Sequence, residues 1–168
     1  MRFQSPQKPD AGEKIRAGVL EILKDCQLLS LASANEKAMP TCNYAYFVYD
    51  KDLSIYFISE EDALHVANLR QNPQASCAFH VVPKAFGKNL QSLRLDGVCE
   101  RLEGMAVLPA LTLYAARFNA FKLMDTIIKA YTTGHEEGSV FKITPARGKI
   151  LDETRFDFRE YVEFEIER

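Results

Sequence analysis

The segment from Ile55 to Phe79 constrains the fold more than any other part of the chain, because it reads as strand, helix, Asn-Pro stop and strand in immediate succession. Leu53 to Ser59 is rich in β-branched and aromatic residues. Ile55, Phe57 and Ser59 fall on one side and Ser54, Tyr56 and Ile58 on the other, the alternation of a strand. Ser59 stands three residues before Asp62, a capping-box spacing that predicts a helix starting there. Leu64, Ala67 and Leu69 supply an apolar stripe, and Pro73 ends the helix by disfavouring the helical conformation at Asn72. The chain returns as a strand over Ala75 to Val82. A helix mouth directly after a strand presents free N–H groups and partial positive charge to an anion, although Glu60, Glu61 and Asp62 oppose one there.

The rest of the chain reads as short strands with helices around them. Asp10 and Glu13 open a helix whose Ile15, Val19, Ile22 and Leu23 share one face. Leu28 to Ala34 is a strand, Asn35 to Lys37 a turn, and Thr41 to Tyr49 a strand heavy in aromatics. Pro83 to Gln91 is a loop carrying Lys84 and Lys88. Leu93 to Leu102 is a long strand with Gly97 inside it, which signals a bulge or a close backbone approach. Ala106 to Tyr131 is mostly helical, with a break near Phe118 to Phe121. Two further strands are expected, Ser139 to Thr144 and Gly148 to Leu151. The tail from Asp152 to Arg168 mixes aromatics with charges and is expected to lie over a surface or a neighbouring subunit, and residues 1–12 are read as a flexible start.

A chain of 168 residues suits one domain, residues 1–168, that buries roughly 70% of its unfolded surface. A net charge of -2 with mixed signs argues against a nucleic-acid footprint. Cys26, Cys42, Cys77 and Cys99 lack the pairing in sequence of a metal knuckle or redox motif and read as reduced thiols. No apolar run reaches the roughly 18 residues that span a bilayer, and Met1 to Lys14 lacks the apolar segment of a signal peptide. A cytoplasmic protein with no membrane partner is expected. No Gly-rich phosphate loop, helix-borne His pair or Gly-x-Ser-x-Gly elbow occurs. Some six strands in mostly antiparallel order predict an α+β fold, mainly β: a six-stranded antiparallel split β-barrel with peripheral helices.

This order, the segment Tyr56 to Pro73 and the run Gly97-Val-Cys-Glu-Arg-Leu102 resemble the pyridoxamine 5'-phosphate oxidase-like family of FMN-binding split barrels, over roughly residues 13 to 145. Within that family the chain looks closest to the YhbP-like branch, described mainly by its fold. The resemblance implies a homodimer that binds FMN between subunits, and an FMN-dependent oxidoreductase whose substrate it does not specify. Catalytic residues are not assigned by it. In the family pattern an Arg often sits early on the second strand, where this chain has Cys42, and a Thr or Ser closes the third, where Ile58 is followed by Ser59. A basic pair, or a Ser and a Lys, commonly follows on the helix, where this chain has Ala63, Leu64 and His65. A Gln on the fifth strand approaches the ring near the place of Ser92, and Asn43 and Tyr44, with Tyr46, can edge a flavin. The cofactor-binding candidates are therefore Cys42, Asn43, Tyr44, Ile58, Ser59, Leu64, His65 and Ser92.

A charge-assisted hydrogen bond contributes about 1.5 to 3 kcal/mol, so two missing cationic partners weaken FMN binding by about 3 to 6 kcal/mol unless Arg70, Lys84, Lys88 or Arg94 replaces them. The alternative is a barrel without FMN or catalysis that binds another small molecule, including haem through His65 or His80. His135 reads as a solvated loop residue. Each candidate also has a purely structural role open to it: Ser59 as a helix cap, His65 and His80 as packed or interface side chains, Tyr44 and Tyr46 as core.

Overall fold

The computed structural model describes residues 1–119 and 138–168. In chain order they form β1 (Arg2–Gln4), α1 (Gly12–Asp25) after a 3-10 turn, β2 (Leu28–Ala34), β3 (Pro40–Tyr49), β4 (Ile55–Ser59), α2 (Leu64–Gln71), β5 (Gln74–Val81) and β6 (Gln91–Arg101), then α3 (Leu108–Phe118), β7 (Ser139–Asp152) and β8 (Tyr161–Glu167). All pairings are antiparallel. The order β7-β4-β3-β2-β5-β6 closes because β6 also pairs with β7, giving the expected six-stranded barrel, while β8 and β1 extend the sheet beyond β7.

Alternation along each strand explains the closure. Ile55 and Phe57 of β4, Leu29 and Leu31 of β2, Phe79 of β5 and Leu93 and Leu95 of β6 point inward and are buried. Phe57 stacks on Phe141 at 5.1 Å between ring centroids, and Phe47 lies 4.8 Å from Phe79. Ile15, Val19, Ile22 and Leu23, one face of α1, are buried in the same core, and the helix packs against β1, β5, β6 and β7. A second, smaller core lies outside the barrel. There Val107, Ala110, Leu111, Tyr114 and Ala115 cover Val48, Tyr56 and Val140, and the Tyr114 hydroxyl donates to the Tyr46 carbonyl at 2.6 Å. Arg117 ties α3 to the C-terminal end of α1 by donating to the Leu23 carbonyl at 2.7 Å, with its guanidinium 4.5 Å from the Phe47 ring centre.

Gly97 stands where the pairing of β6 with β7 shifts register, and a Cβ added there would lie 2.2 Å from the Thr144 carbonyl oxygen. The close approach read from the sequence is therefore real. Several expectations need correction. The two strands expected at Ser139 to Thr144 and Gly148 to Leu151 are one continuous β7, because Pro145 sits opposite Gly97 at the bulge, where the ladder tolerates a residue without an N–H. The tail is not a loose cover: Val162, Phe164 and Ile166 turn inward while Tyr161, Glu163, Glu165 and Glu167 face out, and β8 pairs with both β7 and β1. Residues Arg2–Gln4 of the N-terminal segment accordingly form an edge strand. α3 ends at Phe118, with Asn119 in the left-handed region at φ 50°; the rest of the helix expected to Tyr131, and His135, lie outside the described residues. Finally, α2 starts at Leu64 and not after Ser59. Ala63 is its N-cap without a side-chain bond, and Glu60 to Ala63 form a turn closed by Ala63 N–H on the Glu60 carbonyl at 3.3 Å.

Candidate functional site

β3 pairs with β2 over Pro40 to Tyr46 but with β4 only over Phe47 to Tyr49. Residues Pro40 to Tyr46 thus diverge from β4, and the barrel is split between them, with α2 packed on β2 and β3 nearby. Ser59 closes β4 at this mouth and faces Ser139, its cross-strand partner on β7. The first turn of α2 brings His65 back to it: Ser59 Oγ and His65 Nε2 are 2.8 Å apart. The Ser59 hydroxyl thus serves His65 and caps no helix. The imidazole leans on Phe57 with ring centres 6.3 Å apart, and burial pushes its pKa below the ordinary histidine value. His65 is therefore a neutral imidazole at physiological pH.

Beside this pair lies a charged cluster drawn from four elements. The Glu61 carboxylate, in the turn before α2, accepts from Arg101 Nε at 2.7 Å, from the Ser139 hydroxyl and from Arg70. Arg101 Nε also lies 3.1 Å from Ser139 Oγ, and Arg101 pairs with Glu103 at 2.6 Å. Ser139 is fully buried, whereas Glu61 and both guanidiniums remain a third to a half exposed. Below the split, Asn68 Nδ2 donates to Thr41 Oγ1 at 3.0 Å and Ser33 Oγ at 3.3 Å, which fixes α2 against β2 and β3. Asn43 also points inward from β3, opposite Leu31. Among the described residues its Oδ1 is buried without a hydrogen-bond partner.

The eight candidates separate into four places. Ser59, His65 and Leu64 surround the mouth, with Leu64 64% exposed, and Asn43 lies on the inner side of the split. Cys42 and Tyr44 face outward on β3, Tyr44 being 71% exposed, while Ile58 packs half-buried against the α3 core. Ser92 stands opposite His80 and Leu151 toward the other end of β6. Nine positions separate it from Arg101, about 30 Å at roughly 3.3 Å per residue. It therefore meets the mouth only if a second copy brings it there. Of the cations considered, Arg70 reaches the cluster, Arg94 pairs with Asp96 at 3.2 Å on the outer face of β6, and Lys84 and Lys88 lie in an exposed loop. The sequence reading missed Arg101, Ser139, Glu61 and Asn68 as site residues. No spacing signals them, because the register of β6, β7 and β4 alone brings Arg101, Ser139 and Glu61 together.

No helix among the described residues is long and apolar enough to cross a membrane. No curated protein matches the chain in sequence. Solved structures share its fold: a heme binding protein from Mycobacterium smegmatis is 17% identical, with 88% of this chain and 56% of that one covered at a TM-score of 0.70. The chain thus spans little more than half of that protein. A heme storage protein from Vibrio cholerae, HutZ, is 20% identical over 81% of this chain and 92% of its own, with a TM-score of 0.64. A putative 5-nitroimidazole antibiotic resistance protein from Bacteroides thetaiotaomicron is 14% identical over 90% and 87% of the two chains, at 0.63. The sequence pattern of the pyridoxamine 5'-phosphate oxidase family matches residues 15–152, so that all six barrel strands, β2 to β7, fall within it, and the chain belongs to that family.

Proposed function

We propose that the protein is a homodimeric flavoprotein that binds FMN at the split between β3 and β4, and that it acts as an oxidoreductase. The observation that carries this reading is the set of anion donors at the mouth: Ser139, Arg70 and Arg101 converge on one carboxylate beside the Ser59–His65 pair. Guanidinium forks suit carboxylates and phosphates alike, and these donors fit the phosphate of FMN although the family's Arg position is Cys42. Asn43 fits the other end of the ligand, because its unpartnered Oδ1 lacks a donor and the flavin imide has one. Bound FMN would supply hydride or electron transfer. The protein's own groups bind and orient: Ser59 and the arginines hold the phosphate, and His65 stays neutral.

A second copy is part of this reading. The outer face of β2, β3 and β5 carries Leu28, Tyr44 and Tyr46, the last 59% exposed, above a floor of Ser30, Ala32 and Ala78. Such a smooth face with aromatic ridges buries its apolar surface best against another chain. Pairing there is also the route by which Ser92 would join the mouth.

A haem reading has its own support in His65, whose neutral imidazole is the form that ligates iron, and in the haem proteins that share the fold. One experiment separates the two. The purified protein is expected to sediment with the mass of two chains and to show flavin absorption on adding FMN, with the ligand released on denaturation having the mass of FMN. A Soret band on adding haem, with no flavin uptake, reverses the assignment, and a monomer removes the intersubunit site.

A further inference from the structure

The Glu61 carboxylate occupies the place where the donors at the mouth would receive an anion. Arg70 from α2, Arg101 from β6 and Ser139 from β7 all address it, and Arg70 donates as well to the Glu61 backbone carbonyl at 3.4 Å. The donors are set in regular structure, whereas Glu61 belongs to a four-residue turn with no side-chain cap to hold it. It is also partly solvent-accessible, at 38% side-chain exposure. A carboxylate on a turn, inserted among fixed donors, is a ligand that the chain supplies to itself.

We infer that Glu61 is a built-in competitor for the phosphate position: it fills the Arg70–Arg101–Ser139 set when no phosphate is present and must swing away for one to bind. This rests on the reading of the mouth as a phosphate site, and gives that site a regulator. Two consequences follow. Phosphate affinity is set by the difference between two anions on the same donors, and is therefore weak in the native chain. Release of Glu61 also frees the turn that leads into His65, so phosphate entry and the position of the imidazole are linked.

The test uses the full chain with Glu61→Gln, which keeps the shape and removes the charge, and with the double variant Glu61→Gln, Arg70→Ala. Inorganic phosphate is titrated calorimetrically at constant ionic strength, and FMN separately by quenching of its fluorescence. Glu61→Gln is expected to bind phosphate at least tenfold more tightly than the native chain, a gain of the size of one charge-assisted hydrogen bond, and the double variant to lose that gain. Equal phosphate affinity in native and Glu61→Gln protein overturns the inference, as does a gain that survives loss of Arg70. If Glu61→Gln proves unfolded by circular dichroism, Glu61→Asp, too short to reach both arginines, decides by the same criteria. A phosphate gain with no FMN binding by any variant leaves the competitor standing and removes the flavin. FMN bound equally by native and Glu61→Gln protein does the reverse.

Discussion

Valine at position 97 is expected to abolish the soluble barrel, and alanine to lower its stability by about 3 kcal/mol or more, at the upper end of overpacking costs. The added Cβ would lie 2.2 Å from the Thr144 carbonyl oxygen and 2.7 Å from the Pro145 Cα, both backbone atoms of the facing strand. A crowded side chain can rotate away, but a backbone in a ladder cannot move without breaking its neighbours. On the β7 side those neighbours include β4, whose Ile55 pairs with Ile143 next to the crowded site. The measurement is a urea denaturation midpoint for Gly97→Ala and the soluble yield of Gly97→Val. An unchanged midpoint for alanine would mean that β6 and β7 stand further apart at the bulge than described.

Removing the carboxylate of Asp152 is expected to cost about 3 to 5 kcal/mol, the usual loss when one member of a buried ion pair is deleted. Its side chain is fully buried at the end of β7. Oδ1 accepts from Thr154 Oγ1 at 2.6 Å, the Thr154 N–H at 3.0 Å and Gln91 at 3.2 Å, while Oδ2 accepts from Arg155 at 2.7 Å. Arg155 also pairs with Glu21 of α1, so Asp152→Ala leaves the guanidinium with Glu21 as its carboxylate partner and loosens the helix together with the turn toward β8. Burial pushes the Asp152 pKa up, but the bonds from Thr154 and Arg155 outweigh it and hold the carboxyl below its ordinary 3.8. The sign follows. Above that value the unfolded chain is ionised too and the contribution is complete; as pH falls below about 4 the unfolded state binds the proton first and the contribution is lost. The stability gap between native protein and Asp152→Asn should therefore stay constant from neutral pH to about 5 and narrow in stronger acid. A gap that widens on acidification would contradict the assignment.

Legibility in the sequence followed the locality of the cause. β2 appears at the limits read from its alternation, Leu28–Ala34, and the glycine in β6 marks the close approach it suggested. The continuity of β7 is not legible because Pro145 and Gly148 are strand breakers by residue type, and only the partner strands show why they are tolerated: one faces the bulge, and the other leaves room for the Phe164 ring. Val162, Phe164 and Ile166 carried a strand period that their charged neighbours obscured. At the site, Ser59 and His65 are six residues apart and could be paired from sequence, although the capping spacing to Asp62 gave Ser59 the wrong partner. Glu61, Arg101 and Ser139 could not, being brought together by register across distant strands.

β7 pairs with β4, β6 and β8, so the last third of the chain holds the middle third closed. During synthesis, β2 to β6 are all made before residue 139 exists. Until then β4 and β6 each present an unpaired edge, the kind that recruits strands from other chains. At 5 to 20 residues per second the stretch from Arg101 to Ser139 takes about 2 to 8 seconds. The nascent chain is thus most exposed to misassembly just before β7 arrives, and conditions that slow translation past α3 should lower the yield of soluble protein more than they lower the stability of what folds.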